Sequence, residues 1–217
     1  MSDAFIDDPF EHDPAQIEGV AAAIPIDNLD TDQIMPKQFL RTITKEGLAK
    51  GVLYDLRFDG SGMARPDFIL NRDGHRATAI LIAGSNFGCG SSREHAVWGL
   101  QQLGVRAVIA PSYGEIFFGN ALNNRLLLIV LEQDAIDTLS ADVAADPTHR
   151  LRIDLDTMQI HSPAGRTFGF GMGQRNRRMI LDGLDMIAMT LEHLPAIERF
   201  EARHFADAPW MRVLEPQ

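Results

Sequence analysis

The feature that most constrains this chain is an alternation in its middle third. Three short apolar runs, Ala79–Ala83, Ala107–Ala110 and Leu127–Leu131, are separated by two segments with helical spacing. Between the first two runs, Ala96, Val97, Leu100 and Leu103 recur on one helix face, and Gly104 can end that helix. Between the second and third, Ile116, Phe117, Ala121 and Leu122 do the same. Strand, helix, strand, helix, strand in this order predicts a parallel α/β sheet. Such sheets bind ligands beyond the carboxyl ends of their strands.

One segment fills that position after the first strand. "GSNFGCGSSREHAVW", Gly84 to Trp98, brings three glycines, the adjacent serines Ser91 and Ser92, an arginine and the only cysteine together. Ser91 and Glu94 have the S-x-x-E spacing of a capping box, which starts the helix near Ser92. Ser112 and Glu115 repeat that spacing before the second helix. The glycines let main-chain N–H groups approach a ligand, and a helix N-terminus carries about half a positive charge. The loop therefore suits a small anion, with Arg93 as its cation. Its other reading is a plain helix cap beside a surface arginine.

Familiar motifs are excluded by spacing. A phosphate-binding P-loop needs a lysine that is missing here, and Arg93 stands where a dinucleotide fingerprint needs glycine. Neither serine has the Gly-x-Ser-x-Gly flanks of a nucleophile elbow. Cys89 reads as a small residue in a tight turn, and His95 as a packing residue of the first helical turns. Asp30 and Asp32 read by themselves as turn chemistry.

Composition narrows the class of partner. The 217 residues carry a net charge of −10, which disfavours nucleic acid and anionic membranes. The longest aliphatic run, Leu126–Leu131, is too short to span a bilayer. One cysteine cannot build a disulfide framework and fits a cytoplasmic protein. Nor can it hold an iron–sulfur cluster, and the seven histidines show no metal-binding spacing, so no metal site is expected on this chain. Residues 1–18 hold Asp3, Asp7, Asp8, Glu11, Asp13 and Glu18 without a Lys or Arg, and are expected to form a flexible acidic arm. Val20–Ile26 reads as a strand, leading into a polar turn. Residues 57–75 read as an outward loop. A helix is expected over Ala135–Ala145, then three short antiparallel strands, then helices to Phe205. Residues 19–205 would form one domain, followed by a tail at 206–217. Arg175, Arg177 and Arg178 read as a solvated helix start or a contact with another chain.

Four stretches carry a resemblance: "NFGCGSSREHA" at Asn86–Ala96, "NLDTDQIMPKQFL" at Asn28–Leu40, "VIAPSYGEIFFGNALNN" at Val108–Asn124 and "GLDMIAMTLEH" at Gly183–His193. In these the chain resembles the small subunits of isopropylmalate dehydratases (isopropylmalate isomerases), within the aconitase superfamily. The resemblance implies a swivelling β/β/α domain that closes over a large subunit bearing a 4Fe-4S cluster. It implies isomerisation of 2-isopropylmalate to 3-isopropylmalate by dehydration and rehydration, in leucine biosynthesis. By the same resemblance Ser91 is the catalytic base and Arg93 binds a substrate carboxylate. Ser92, Thr31, Asp32 and Arg41 complete the substrate-binding set, and the substrate is a small dicarboxylate hydroxy-acid. Val97 and Leu128 stand where the family usually has proline, and Asn176–Met179 departs from its usual Arg-Arg-His-Cys. These departures leave open a related hydro-lyase acting on methylmaleate (citraconate) or homoaconitate. A non-catalytic binding module of the same fold is the reading from a different class. The C-terminal methionines, Met172, Met179, Met186 and Met189, are expected to adapt to a partner surface.

Overall fold

A computed structural model describes residues 14–40, 46–145 and 150–212. Its centre is one seven-stranded sheet in the order β4-β3-β2-β1-β5-β6-β7. Strands β1 (Gln16–Ile24), β2 (Thr78–Ala83), β3 (Ala107–Ala110) and β4 (Leu127–Val130) run parallel. Strands β5 (Arg150–Asp154), β6 (Gln159–His161) and β7 (Thr167–Gly169) extend the far edge of β1 as an antiparallel meander. The expected alternation in the middle of the chain is what forms.

Apart from Thr78, strands β2, β3 and β4 are apolar, because both faces of this part of the sheet are covered. Along β2, Ile80 and Ile82 point to one layer, while Leu81 and Ala83 point to the other. The layer on Leu81 and Ala83 holds helices α3 (His95–Gln102) and α4 (Glu115–Asn123), together with two single turns, α1 (Thr31–Ile34) and α2 (Tyr54–Arg57). The opposite layer holds α5 (Gln133–Ala145) through Ile136, Leu139 and Val143, and α6 (Gln174–Asp182) through Ile180. Each fully buried aliphatic side chain contributes about 1.5–3 kcal/mol, which makes these two layers the main source of stability.

Several expectations at element ends are corrected. Strand β1 begins at Gln16, inside the expected acidic arm, because Ile17 is wholly buried and Gln16–Glu18 pair with Arg152–Asp154. The polar turn after β1 is a helical turn: the Asp30 carboxylate accepts the Gln33 N–H, and the Gln33 side chain accepts the Asp30 N–H in return. Ser91 does not cap α3, whose N-cap is Glu94, and Ser112 does not cap α4, whose N-cap is Gly114. Met179 is buried in the core and so is not available to a partner. Arg177 and Arg178 are tied within the chain, to Asp156 and to Asp182 with Glu192.

Helices α7 (Met186–Leu191) and α8 (Leu194–Asp207) contain no buried residue. They leave Ile187, Leu191, Leu194 and Phe200 exposed. No described helix is long and apolar enough to cross a membrane.

Candidate active site

The Gly84–Glu94 loop leaves the carboxyl end of β2, between the loops that leave β1 and β3. Both neighbours brace it through main-chain bonds. On the β1 side, Asn28 N–H donates to the Ser85 carbonyl at 2.8 Å, Gly88 N–H to Leu29 at 2.8 Å, and Thr31 N–H to Cys89 at 2.9 Å. On the β3 side, Phe87 N–H donates to Ser112 at 3.1 Å and Gly114 N–H to Phe87 at 2.9 Å. The Ser112 hydroxyl accepts the Asn86 N–H at 2.8 Å, which is the work it does instead of capping α4. The Tyr113 hydroxyl, with one proton to share, lies 2.7 Å from the Val108 carbonyl and 2.8 Å from the Ile129 carbonyl, and burial pushes its phenol well above the ordinary range.

Close approach explains the glycine at 88. Its φ is +72°, and an added Cβ would stand 2.3 Å from Cγ of Phe117. Phe117 is buried at the start of α4 and meets the Phe87 ring edge-on at 5.4 Å. The loop therefore lies directly on the aromatic core.

Thr31 fixes the serine. Its hydroxyl accepts the Ser91 N–H at 3.0 Å and donates to the Ser91 carbonyl at 3.2 Å. Thr31 itself is only 1% exposed. The resemblance puts Thr31 in the substrate-binding set; its hydroxyl here holds the Ser91 main chain. Ser91 and Ser92 are exposed at the loop surface.

Arg93 and Asp32 meet in an ion pair, through Nη1 and Oδ1. Asp32, expected in the substrate-binding set, is engaged with Arg93 here, and a carboxylate so placed orients the guanidinium. The other Asp32 oxygen faces Lys37 Nζ at 3.7 Å. Lys37 is not readable as a site residue in the sequence, because five-residue spacing gives no helical pairing with Asp32. A 3-10 turn over Lys37–Phe39 brings the two together. Arg41 lies outside the described residues.

The local field also differs from expectation. Glu94 sits at the N-cap of α3, where its negative charge opposes the use of that helix end for a second anion. The positive charge beside Ser91 comes from Arg93. The Glu94 carboxylate instead accepts from Asn124 at 3.4 Å, and Asn124 accepts the Trp98 indole N–H at 2.9 Å. His95 packs near Trp98 with ring centroids 4.9 Å apart. Cys89 is partly buried in the turn, its thiol 3.5 Å from the Asn28 carbonyl.

The donor set does not fit an iron–sulfur cluster. Cys89 is the sole cysteine of the chain, and among the described residues no three His, Cys, Asp or Glu side chains converge.

Comparison with known proteins shows the family. The family model described as the Aconitase C-terminal domain matches residues 14–134. A second model, for the C-terminal domain of the 3-isopropylmalate dehydratase small subunit, matches residues 186–212. A protein of Chromobacterium violaceum named 3-isopropylmalate dehydratase small subunit 1 is 54% identical, over 91% of this chain and 92% of its own. The 3-isopropylmalate dehydratase small subunit of Brucella canis is 45% identical, over 90% of this chain and 97% of its own. The crystal structure of a 3-isopropylmalate dehydratase from Methanocaldococcus jannaschii superposes with a TM-score of 0.60 at 30% identity. It covers 86% of this chain and 99% of its own. By these matches the chain belongs to the family of 3-isopropylmalate dehydratase small subunits, within the aconitase superfamily.

Proposed function

We propose that this chain is the catalytic small subunit of an isopropylmalate hydro-lyase, active only with a large subunit. The reaction is the stereospecific isomerisation of 2-isopropylmalate to 3-isopropylmalate in leucine biosynthesis, a cytoplasmic pathway step. Water leaves across one carbon–carbon bond and returns to it with hydrogen and hydroxyl exchanged.

The observation that carries the reading is Ser91, pinned by Thr31 beside Arg93 on a loop at the carboxyl ends of the parallel strands. Removing a proton from carbon next to a carboxylate needs a base that tolerates an anionic substrate. Ser91 takes that proton as its alkoxide and becomes a neutral hydroxyl, and the Arg93 guanidinium offsets the charge of the alkoxide before the transfer and of the substrate throughout. The part of the Arg93 fork not engaged by Asp32 suits a carboxylate held through two N–H bonds. Departure of hydroxide calls for a Lewis acid. Since this chain's donors do not fit one, the 4Fe-4S cluster is assigned to the large subunit.

The loop face must then meet that partner. The relatives' names as small subunits support a larger companion chain. The exposed apolar side chains of α7 and α8 offer it further surface.

The test is an anaerobic assay of the purified chain, alone and with a cluster-loaded large subunit. Specificity constants would be compared for 2-isopropylmalate and for the hydroxy-acids related to methylmaleate and homoaconitate. The expected result is no turnover by the chain alone and a preference for 2-isopropylmalate in the complex. Appreciable turnover by the isolated chain, or a strong preference for a tricarboxylate, would overturn the reading.

A further inference from the structure

A substrate with two carboxylates needs a cationic partner at each end, and the Arg93 fork can grip only one of them. The structure places a second cation on the same side chain that orients Arg93. Arg93 meets one oxygen of Asp32, and Lys37 Nζ lies 3.7 Å from the other, beyond hydrogen-bonding distance. The Lys37 side chain is 75% exposed, against 26% for Arg93.

Its backbone, by contrast, is fixed. Ile34, Met35 and Pro36 before it are buried, and Pro36 starts the 3-10 turn with φ −60°. At the end of that turn Phe39 lies so close to Gly51 that a Cβ there would come within 2.6 Å of the ring. A fixed stem with a solvent-facing ammonium group contributes little to stability as an ion pair. It is well placed to meet an incoming anion. Two cations share one carboxylate here, so neither is fully neutralised by Asp32 and each can still meet an anion.

We infer that Lys37 forms a second anion subsite, which takes the substrate carboxylate farther from Arg93. The inference rests on the hydro-lyase reading above and deepens it: Arg93 and Lys37 together select dicarboxylates over monocarboxylates. Asp32 stands between the two cations and fixes the charge that the site presents.

The experiment uses the full chain reconstituted with its large subunit, as wild type, Lys37→Met and Lys37→Arg. Steady-state constants for 2-isopropylmalate are measured, with inhibition by isopropylsuccinate and by its monocarboxylate counterpart 4-methylpentanoate. Lys37→Met is expected to raise KM about tenfold, as loss of a charged hydrogen bond does, with a smaller change in kcat. Isopropylsuccinate should weaken by a similar factor while 4-methylpentanoate shifts less than about twofold, and Lys37→Arg should recover most of the loss. A KM within about twofold of wild type would overturn the subsite. So would equal weakening of both inhibitors, which would make Lys37 a support for the Asp32–Arg93 pair. An inactive wild-type complex would instead sink the hydro-lyase reading, and the subsite with it.

Discussion

At the residue scale, the working unit is a serine whose main chain is held by a buried threonine. Thr31→Val keeps the volume but leaves the Ser91 N–H unpaired, which costs about 1–3 kcal/mol. Urea denaturation should show that loss, and kcat should fall about tenfold, because small displacements of a reacting group cost rate steeply. Thr31→Ser should restore both. A second prediction concerns His75, which is only 3% exposed. Burial, with Arg72 adding to it, pushes its imidazole below the ordinary value of 6.5. The unfolded chain therefore takes up this proton first as pH falls. Stability contributed by neutral His75 is full above the ordinary histidine range, is lost through it, and levels off below the depressed folded value. Urea midpoints measured from about pH 7.5 to 5.5 should decline with acid, and His75→Gln should flatten that decline. Residue roles are only partly legible in the sequence. The loop residues Ser91 and Arg93 stand out by type, but the division of labour does not. Whether Thr31 touches substrate or holds Ser91 depends on contacts between the loops of two parallel strands, and whether Lys37 reaches Asp32 depends on a local 3-10 turn; spacing encodes neither.

At the element scale, the loop is positioned by the strands on either side of it and by α4 beneath. The strands β2, β3 and β4 are legible because continuous apolar runs between helical patterns have few other meanings. The helix starts are not, since an S-x-x-E spacing fits both a cap and a loop that merely precedes a helix. Ser112 shows the competing demand: its hydroxyl is consumed by the Asn86 N–H. The start of β1 is hidden as well, because Gln16–Glu18 look in the sequence like part of an acidic tail. The length of β1 matters, as it joins the parallel half of the sheet to the antiparallel meander. A chain starting at Pro14 is expected to keep wild-type stability and activity. One starting at Gly19 loses the buried Ile17 side chain and its ladder, for at least about 2–5 kcal/mol by analogy with large aliphatic deletions. Thermal or urea melts of the two truncations check this directly, and equal melts would show that the β1–β5 edge carries no stability.

At the scale of the whole molecule, two surfaces call for a partner: the loop at the carboxyl ends of the strands, and the helical arm from Met186 to Asp207. A helix of this length without buried residues is marginal in water, so the arm is expected to order further on binding. Ending the chain after Gly183 should leave the sheet's melting transition in place but weaken association with the large subunit at least tenfold, on the scale of losing a few apolar anchors. Light scattering of mixtures would show it. The central claim, however, is that Ser91 removes the proton. The most direct measurement is the anaerobic rate of 2-isopropylmalate turnover by the reconstituted complex, carrying wild-type chain or Ser91→Ala, with assembly confirmed in both by size-exclusion chromatography. The expected result is an intact Ser91→Ala complex whose kcat is lower by at least about 100-fold, the scale of a lost general base. An intact complex that keeps its rate within a few-fold of wild type would contradict the account.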